Sequence, residues 1–222
     1  MFISDTIRQR VFDAGKSCFA NDNISNHVTK QEMEKLEDQL EHIFANLLSA
    51  LVIEYENDHN TVETPKRMAK MFIREIFSGR YQPCPEIKEF PNVKKLDQIY
   101  TIGPITINST CSHHFVPIVG KAWLGLIPDG KVIGLSKFKR LADWIMCRPQ
   151  IQEEATVQLA DLIEDRISPR ALALVVNATH HCMTGRGIKD PGTTMTTSVM
   201  RGIFMDNDSA RAEFLALIRE QR

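Results

Sequence analysis

The stretch STCSHHFVPIVGKAWLGLIP, residues 109–128, carries two signals side by side. Its second part, FVPIVGKAWLGLIP, is rich in apolar and β-branched residues and runs into the turn-forming PDGK of residues 128–131, so it reads as a strand. Its first part sets Cys111 three positions before His114, with His113 between them. That C-x-x-H spacing lets one turn of backbone aim a thiolate and an imidazole at a single metal ion. A strand that begins beside metal-type residues directs attention to the other strands and to what stands at their ends.

Upstream, EIKEF (86–90) and QIYTIGPITIN (98–108) are strand-like. Downstream, SKFKRLADWIMC (136–147) and PQIQEEATVQLADLIEDRI (149–167) read as two helices separated by Arg148, with Pro149 opening the second. ALALVVNATHHCM (171–183) is a strand that runs into a second Cys/His cluster, TTMTTSVMRGIF (193–204) is another strand, and SARAEFLALIREQ (209–221) a final helix. This order predicts an α+β fold, an antiparallel sheet with helices packed on one face, without the βαβ alternation of a doubly wound protein. Ahead of it, residues 30–56 predict a long amphipathic helix with Leu36, Leu40, Ile43, Leu47 and Leu51 on one side. TPKRMAKMFIREIFSG (64–79) predicts a further helix, capped by Thr64, with Pro65 at its first position and Gly79 as its stop. The first 28 residues lack a strong pattern and suggest a loosely attached helical arm. The expected organisation is an N-terminal helical extension over 1–60 and a catalytic domain over 61–222.

At 222 residues the chain can bury a core. Its net charge of −1 gives no whole-molecule attraction for nucleic acid or a membrane surface, so any anion must be met by local clusters. No apolar run reaches the length of about 18 residues that a membrane span needs. The N-terminal MFISDTIRQRVFDAGK has no apolar signal core, so a cytoplasmic location is expected. Five cysteines, an odd count without pairing rhythm, favour reduced thiols or metal ligands over disulfides.

The second cluster is His180, His181 and Cys182. Strand alternation would put His180 and Cys182 on one face and His181 on the other. C-x-x-H joined by a distant cysteine makes two thiolates and one imidazole, a catalytic zinc set whose fourth position is left to water. A structural zinc would want four protein ligands, and His113 or His180 could supply the fourth. Cys18, Cys84 and Cys147 have no such company and read as ordinary thiols.

Together, STCSHHFVPIVGKAWLGLIP, VIGLSKFKR, RPQIQEE, ATHHCMTGRGI and TTMTTSVMRGIF resemble the GTP cyclohydrolase I family, in the same order over roughly the last two-thirds of the chain. The resemblance implies a tunnelling fold whose subunits assemble as a decamer, a dimer of pentamers, with active sites between subunits. It implies a zinc-dependent conversion of GTP and water to 7,8-dihydroneopterin triphosphate and formate, the first step towards tetrahydrofolate and other pterins. By resemblance Cys111, His114 and Cys182 hold Zn2+, while His113, His180 and Gln152 are catalytic. Glu153 would bind the guanine edge, whose N1–H and N2–H₂ donors suit a carboxylate. Ser136, Lys137, Arg140, Arg186, Arg67 and Lys70 would meet the triphosphate, arginine through its bidentate fork and lysine as a point charge. The chain departs from the family's C-E-H-H at Ser112, where a carboxylate is expected, and carries Thr184 and Gly185 where a cationic or bulky residue is common. Ser112 supports an alternative, a catalytically silent or altered-specificity zinc-binding paralogue.

Overall fold

The capping box that opens the long N-terminal helix sets its position. Thr29 accepts the backbone N–H of Glu32, and the Glu32 carboxylate accepts the N–H of Thr29 in return. In the computed structural model, which describes residues 2–221, the helices of the N-terminal part are α1 (Ile3–Asp13), α2 (Lys30–Ala50), α3 (Thr64–Lys70) and α4 (Ser78–Tyr81). They belong to the first of two compact units, Met1–Pro83 and Cys84–Arg222. The arm is not loose. Helix α1 buries Ile7 and Val11 against Ile24, Met33, Leu36 and Ile73, and Arg10 clasps the Glu32 carboxylate at 2.7 and 2.9 Å. Helix α2 stops at Ala50 rather than near residue 56, and its stripe divides: Leu36 is buried, whereas Ile43, Leu47 and Leu51 are exposed. Thr64 is already helical and Glu63 precedes it without a side-chain cap. The helix then widens into a π-type turn over Met71–Ile76, and Gly79 lies inside α4 instead of ending a helix.

The second unit is built on strands β1 (Glu89–Pro91), β2 (Tyr100–Cys111), β3 (Pro117–Ile127), β4 (Lys131–Ile133), β5 (Pro149–Gln150), β6 (Ala171–His180) and β7 (Met195–Gly202). Helices α5 (Leu135–Met146) and α6 (Gln152–Ile167) lie on either side of β5; the short α7 (His181–Thr184) follows β6, and α8 (Ile203–Asp206) and α9 (Asp208–Arg219) close the chain. β1 and β4 form a small antiparallel pair. The main sheet has the order β5-β2-β3-β6-β7, antiparallel except that β5 runs parallel to β2.

Period-two alternation decides what each face buries. Ile105 and Ile107 of β2, Ala122, Leu124 and Leu126 of β3, and Leu172, Leu174 and Val176 of β6 pack against Phe138, Leu141 and Ile145 of α5 and Leu159 and Ile163 of α6. The opposite parity, Trp123, Ala173 and Val175, meets Phe204, Phe214 and Ile218 of α8 and α9. A Cβ on Gly125 would lie 2.4 Å from the Phe214 ring, so only glycine lets that ring rest on the sheet. The α+β layout with α5 and α6 on one face is therefore present, and the C-terminal helices cover part of the other. Pro149 does not open a helix. It pairs with Thr110, and α6 begins three residues later.

Candidate metal centre and its surroundings

Residues 111–116 turn because β2 ends at Cys111 and the chain folds straight back on itself. Phe115 N–H donates to the Cys111 carbonyl at 2.9 Å, Cys111 N–H donates to the Val116 carbonyl at 2.9 Å, and Phe115 takes a left-handed φ of 54° to close the loop. Ser112 N–H donates to the Gln150 carbonyl at 3.1 Å, which ties the turn to β5. Gln150 itself is locked by its side-chain amide, which donates to the Ser109 hydroxyl and to the carbonyls of Ile145 and Met146. One short strand thus fixes both the Cys111 turn and the start of α6.

Antiparallel register supplies the other half. Ile118 at the start of β3 faces His180 at the end of β6. Beyond His180 the backbone leaves the strand for the single turn of α7, so Cys182 reaches the site from a helical turn and not, as alternation suggested, from the strand face of His180. The ligand atoms of Cys111, His114 and Cys182 lie within 4.8 Å of one another. Cys111 is only 4% exposed and shares an apolar cluster with Ile118 and Ala178. His113 is also close, its Nδ1 3.8 Å from the Cys111 sulfur.

Two soft sulfurs and one imidazole are a donor set suited to zinc, and these three residues fit it. Burial and the neighbouring Cys111 push the Cys182 thiol up, while Arg186 pulls it down. The Cys182 thiol therefore keeps its proton more firmly than a free thiol does until a cation displaces it.

Beside this group stands a polar pair, one member buried and the other half-buried. His180 Nε2 lies 2.8 Å from Gln152 Oε1, and Gln152 is 4% exposed at the first position of α6. Burial lowers the His180 pKa, and the nearby Glu153 carboxylate opposes that shift, so the imidazole tends to the neutral form. Glu153, the next residue of α6, is exposed to solvent. Among the expected anion ligands, Arg186 is exposed close enough to Cys182 to act on its thiol. Ser136 lies elsewhere, with Lys137 and Arg140 following it on α5. Ser136 lines a surface hollow with Ile102, Pro104 and Thr106. Thr106 is five residues before Cys111 on an extended strand, roughly 17 Å away. Gln150 holds the opposite, C-terminal end of α5 beside Ser109, consistent with that separation. Lys139 is paired with Asp143 one helical turn on. Arg67 and Lys70 are exposed on α3 of the first unit. Thr156 and Thr197, which the sequence alone does not single out, hydrogen-bond to Gln152 or to each other.

An α+β protein with a three-donor sulfur-imidazole group, flanked by further histidines and a Gln-Glu pair, has the side chains of an enzyme that could hold a metal ion at its site. The chain belongs to the GTP cyclohydrolase I family, whose profile matches residues 40–219. It is 38% identical to the GTP cyclohydrolase 1 of Vibrio vulnificus (strain YJ016) over 84% of this chain and 86% of that one. It is 37% identical to that of Vibrio campbellii (strain ATCC BAA-1116) over 87% and 88%. With that of Citrobacter koseri (strain ATCC BAA-895 / CDC 4225-83 / SGSC4696) the figure is 40%, over 73% and 74%. The crystal structure of the archaeosine synthase QueF-Like in the apo form aligns at a TM-score of 0.37 and 16% identity, over 54% of this chain and 97% of its own, too distant a likeness to bear on the chemistry.

Proposed function

We propose that the chain is a cytoplasmic, zinc-dependent GTP cyclohydrolase I that converts GTP and water to 7,8-dihydroneopterin triphosphate and formate. The observation that carries this is the convergence of Cys111, His114 and Cys182 beside the His180–Gln152 pair. Zinc held by those three residues would supply a Lewis acid and a water of lowered pKa at neutral pH. The chain's own side chains do the rest. His180, kept largely neutral by burial, can take a proton at a ring nitrogen and return it, and exposed His113 is the second imidazole able to do so. Glu153 presents two carboxylate oxygens from the first turn of α6 to the paired N–H donors of guanine. Arg186 offers its fork to the triphosphate from the loop after α7.

We read Ser136, Lys137 and Arg140 as brought to this role by a second subunit. The separation of Ser136 from Cys111 along β2 supports active sites shared between neighbours in a homo-oligomer, a decamer by family resemblance. Arg67 and Lys70 are proposed to join the same anion-binding set. The silent-paralogue alternative rests on Ser112, yet the residue's backbone, not a side-chain charge, ties the turn to β5. The deciding experiment incubates zinc-loaded protein with GTP and measures formate together with a pterin that fluoresces after oxidation. Both products are expected, and Cys182→Ser should lose both along with bound zinc. Neither product from zinc-loaded wild type would make the chain a silent paralogue.

A further inference from the structure

We propose that Thr197, with Thr156 behind it, is a positioning residue that holds His180 in one tautomer and one orientation by acting through Gln152. This rests on the assignment of proton transfer to His180, and on hydrogen-bond directions that the donors and acceptors leave no freedom to reverse.

Gln152 Nε2 lies 3.1 Å from the Val176 carbonyl and 3.2 Å from the Met195 carbonyl. Backbone carbonyls only accept, so this end of the amide must be the NH₂. The oxygen end then faces His180, and His180 Nε2 must carry the proton that spans their 2.8 Å separation. A neutral ring so bonded leaves Nδ1 free as the acceptor. The same amide N–H₂ also donates to Thr197 Oγ1 at 3.0 Å. Thr156 Oγ1 donates its only proton to the Gln152 backbone carbonyl at 2.7 Å, one turn back along α6. In the 2.8 Å contact between the two hydroxyls the proton therefore belongs to Thr197. The loop closes: Gln152 amide to Thr197, Thr197 to Thr156, Thr156 to the Gln152 carbonyl. Its members come from α6 and β7, and with the Val176 carbonyl of β6 they hold the Gln152 amide against the imidazole at the end of that strand. Gln152 and Thr156 are 4% and 1% exposed and Thr197 is half-buried, so the two α6 members of the loop are shielded from water.

Thr197→Val keeps the shape and removes the hydroxyl, while Thr197→Ser keeps the hydroxyl. The valine variant should lower kcat about 10- to 100-fold, the usual effect of losing an outer hydrogen-bond partner of a site, with KM for GTP and zinc content little changed. The serine variant should recover most of the rate. Equal activity of valine variant and wild type, or a serine variant as impaired as valine, would overturn the proposal. A second readout does not depend on turnover. In ¹⁵N-histidine-labelled protein, with the His180 signal assigned through His180→Asn, wild type should show the Nε2–H tautomer and the valine variant a mixture. An Nδ1–H tautomer in wild type, or identical signals in the two proteins, would also refute it. If wild type makes no formate from GTP, the cyclohydrolase proposal fails, and the tautomer measurement alone decides the positioning network.

Discussion

Glu153 and Gln152 are adjacent in sequence and opposite in environment. Gln152 turns into the protein and spends its amide on β6 and β7, while Glu153 stays in water at the first turn of α6. The family resemblance assigns both to the site; in the structure Glu153 is exposed, whereas Gln152 contacts His180 through Oε1. Glu153→Gln keeps the size, loses the charge and puts a donor where guanine also donates. It should lower kcat/KM for GTP by about 10- to 100-fold, the equivalent of roughly 1.5–3 kcal/mol for hydrogen bonds to a charged group. Zinc measured by metal analysis should be unchanged, and a parallel loss of zinc would show that Glu153 supports the metal turn instead. The residue scale was legible where chemistry is rare. Two cysteines and a histidine in such spacing have few other uses. Thr156 and Thr197 escaped notice because a threonine in a helix or strand looks like ordinary propensity filler, and its hydroxyl gains meaning only once β7 lies beside α6.

Elements were readable where periodicity was long and misread at their ends. β2, β3, β6 and β7 announce themselves by β-branched runs, and α5 and α6 by apolar spacing. Pro149 was misplaced because proline is equally at home at a helix start and in a two-residue strand on a sheet edge, and only tertiary pairing with Thr110 selects the second. The helical turn at Cys182 was invisible to strand alternation for the same reason: alternation cannot say where a strand ends. α1 was missed as a packed element because its buried face is narrow, with Ile7 and Val11 fully covered. Its anchorage is electrostatic as well. Arg10, aided by the Thr29 N–H, holds the Glu32 carboxyl down from the usual 4.5 to about 2. The folded state therefore binds that proton less readily than the unfolded chain. Its contribution is whole above about pH 4.5 and fades as pH falls towards about 2. Glu32→Gln should cost about 1 kcal/mol near neutral pH by loss of the ion pair, because the glutamine oxygen can still accept the Thr29 N–H and much of the pair is discounted where Arg10 is partly exposed. Denaturant unfolding followed by circular dichroism should show wild type and variant converging across that acid window. A gap that stays constant with pH would mean the carboxylate charge contributes nothing.

For the whole molecule, the separation within one chain is the governing fact. The metal-type residues gather at the end of β2, whereas Ser136 sits beside Thr106, and the N-terminal end of α5 is about 15 Å of helix from the end that Gln150 grips. A single subunit therefore carries the Cys111, His114 and Cys182 group at one place and Ser136, at the start of α5, at another. If neighbours complete each other's sites, damage to the two halves must complement. Cys182→Ser subunits keep an intact α5, and Arg140→Ala subunits keep an intact metal centre. Each variant alone should be nearly inactive, the first without zinc and the second with weakened hold on the triphosphate. Dissociating the two, mixing them and allowing reassembly should regenerate sites built from one good half of each, with formate production well above the sum of the parents. Mixing without dissociation should give no gain. If reassembled mixtures stay at the level of the separate variants while mixed oligomers are demonstrated by mass, each site is complete within one chain, and Arg140 must then reach the triphosphate from its own subunit or have no part in binding it.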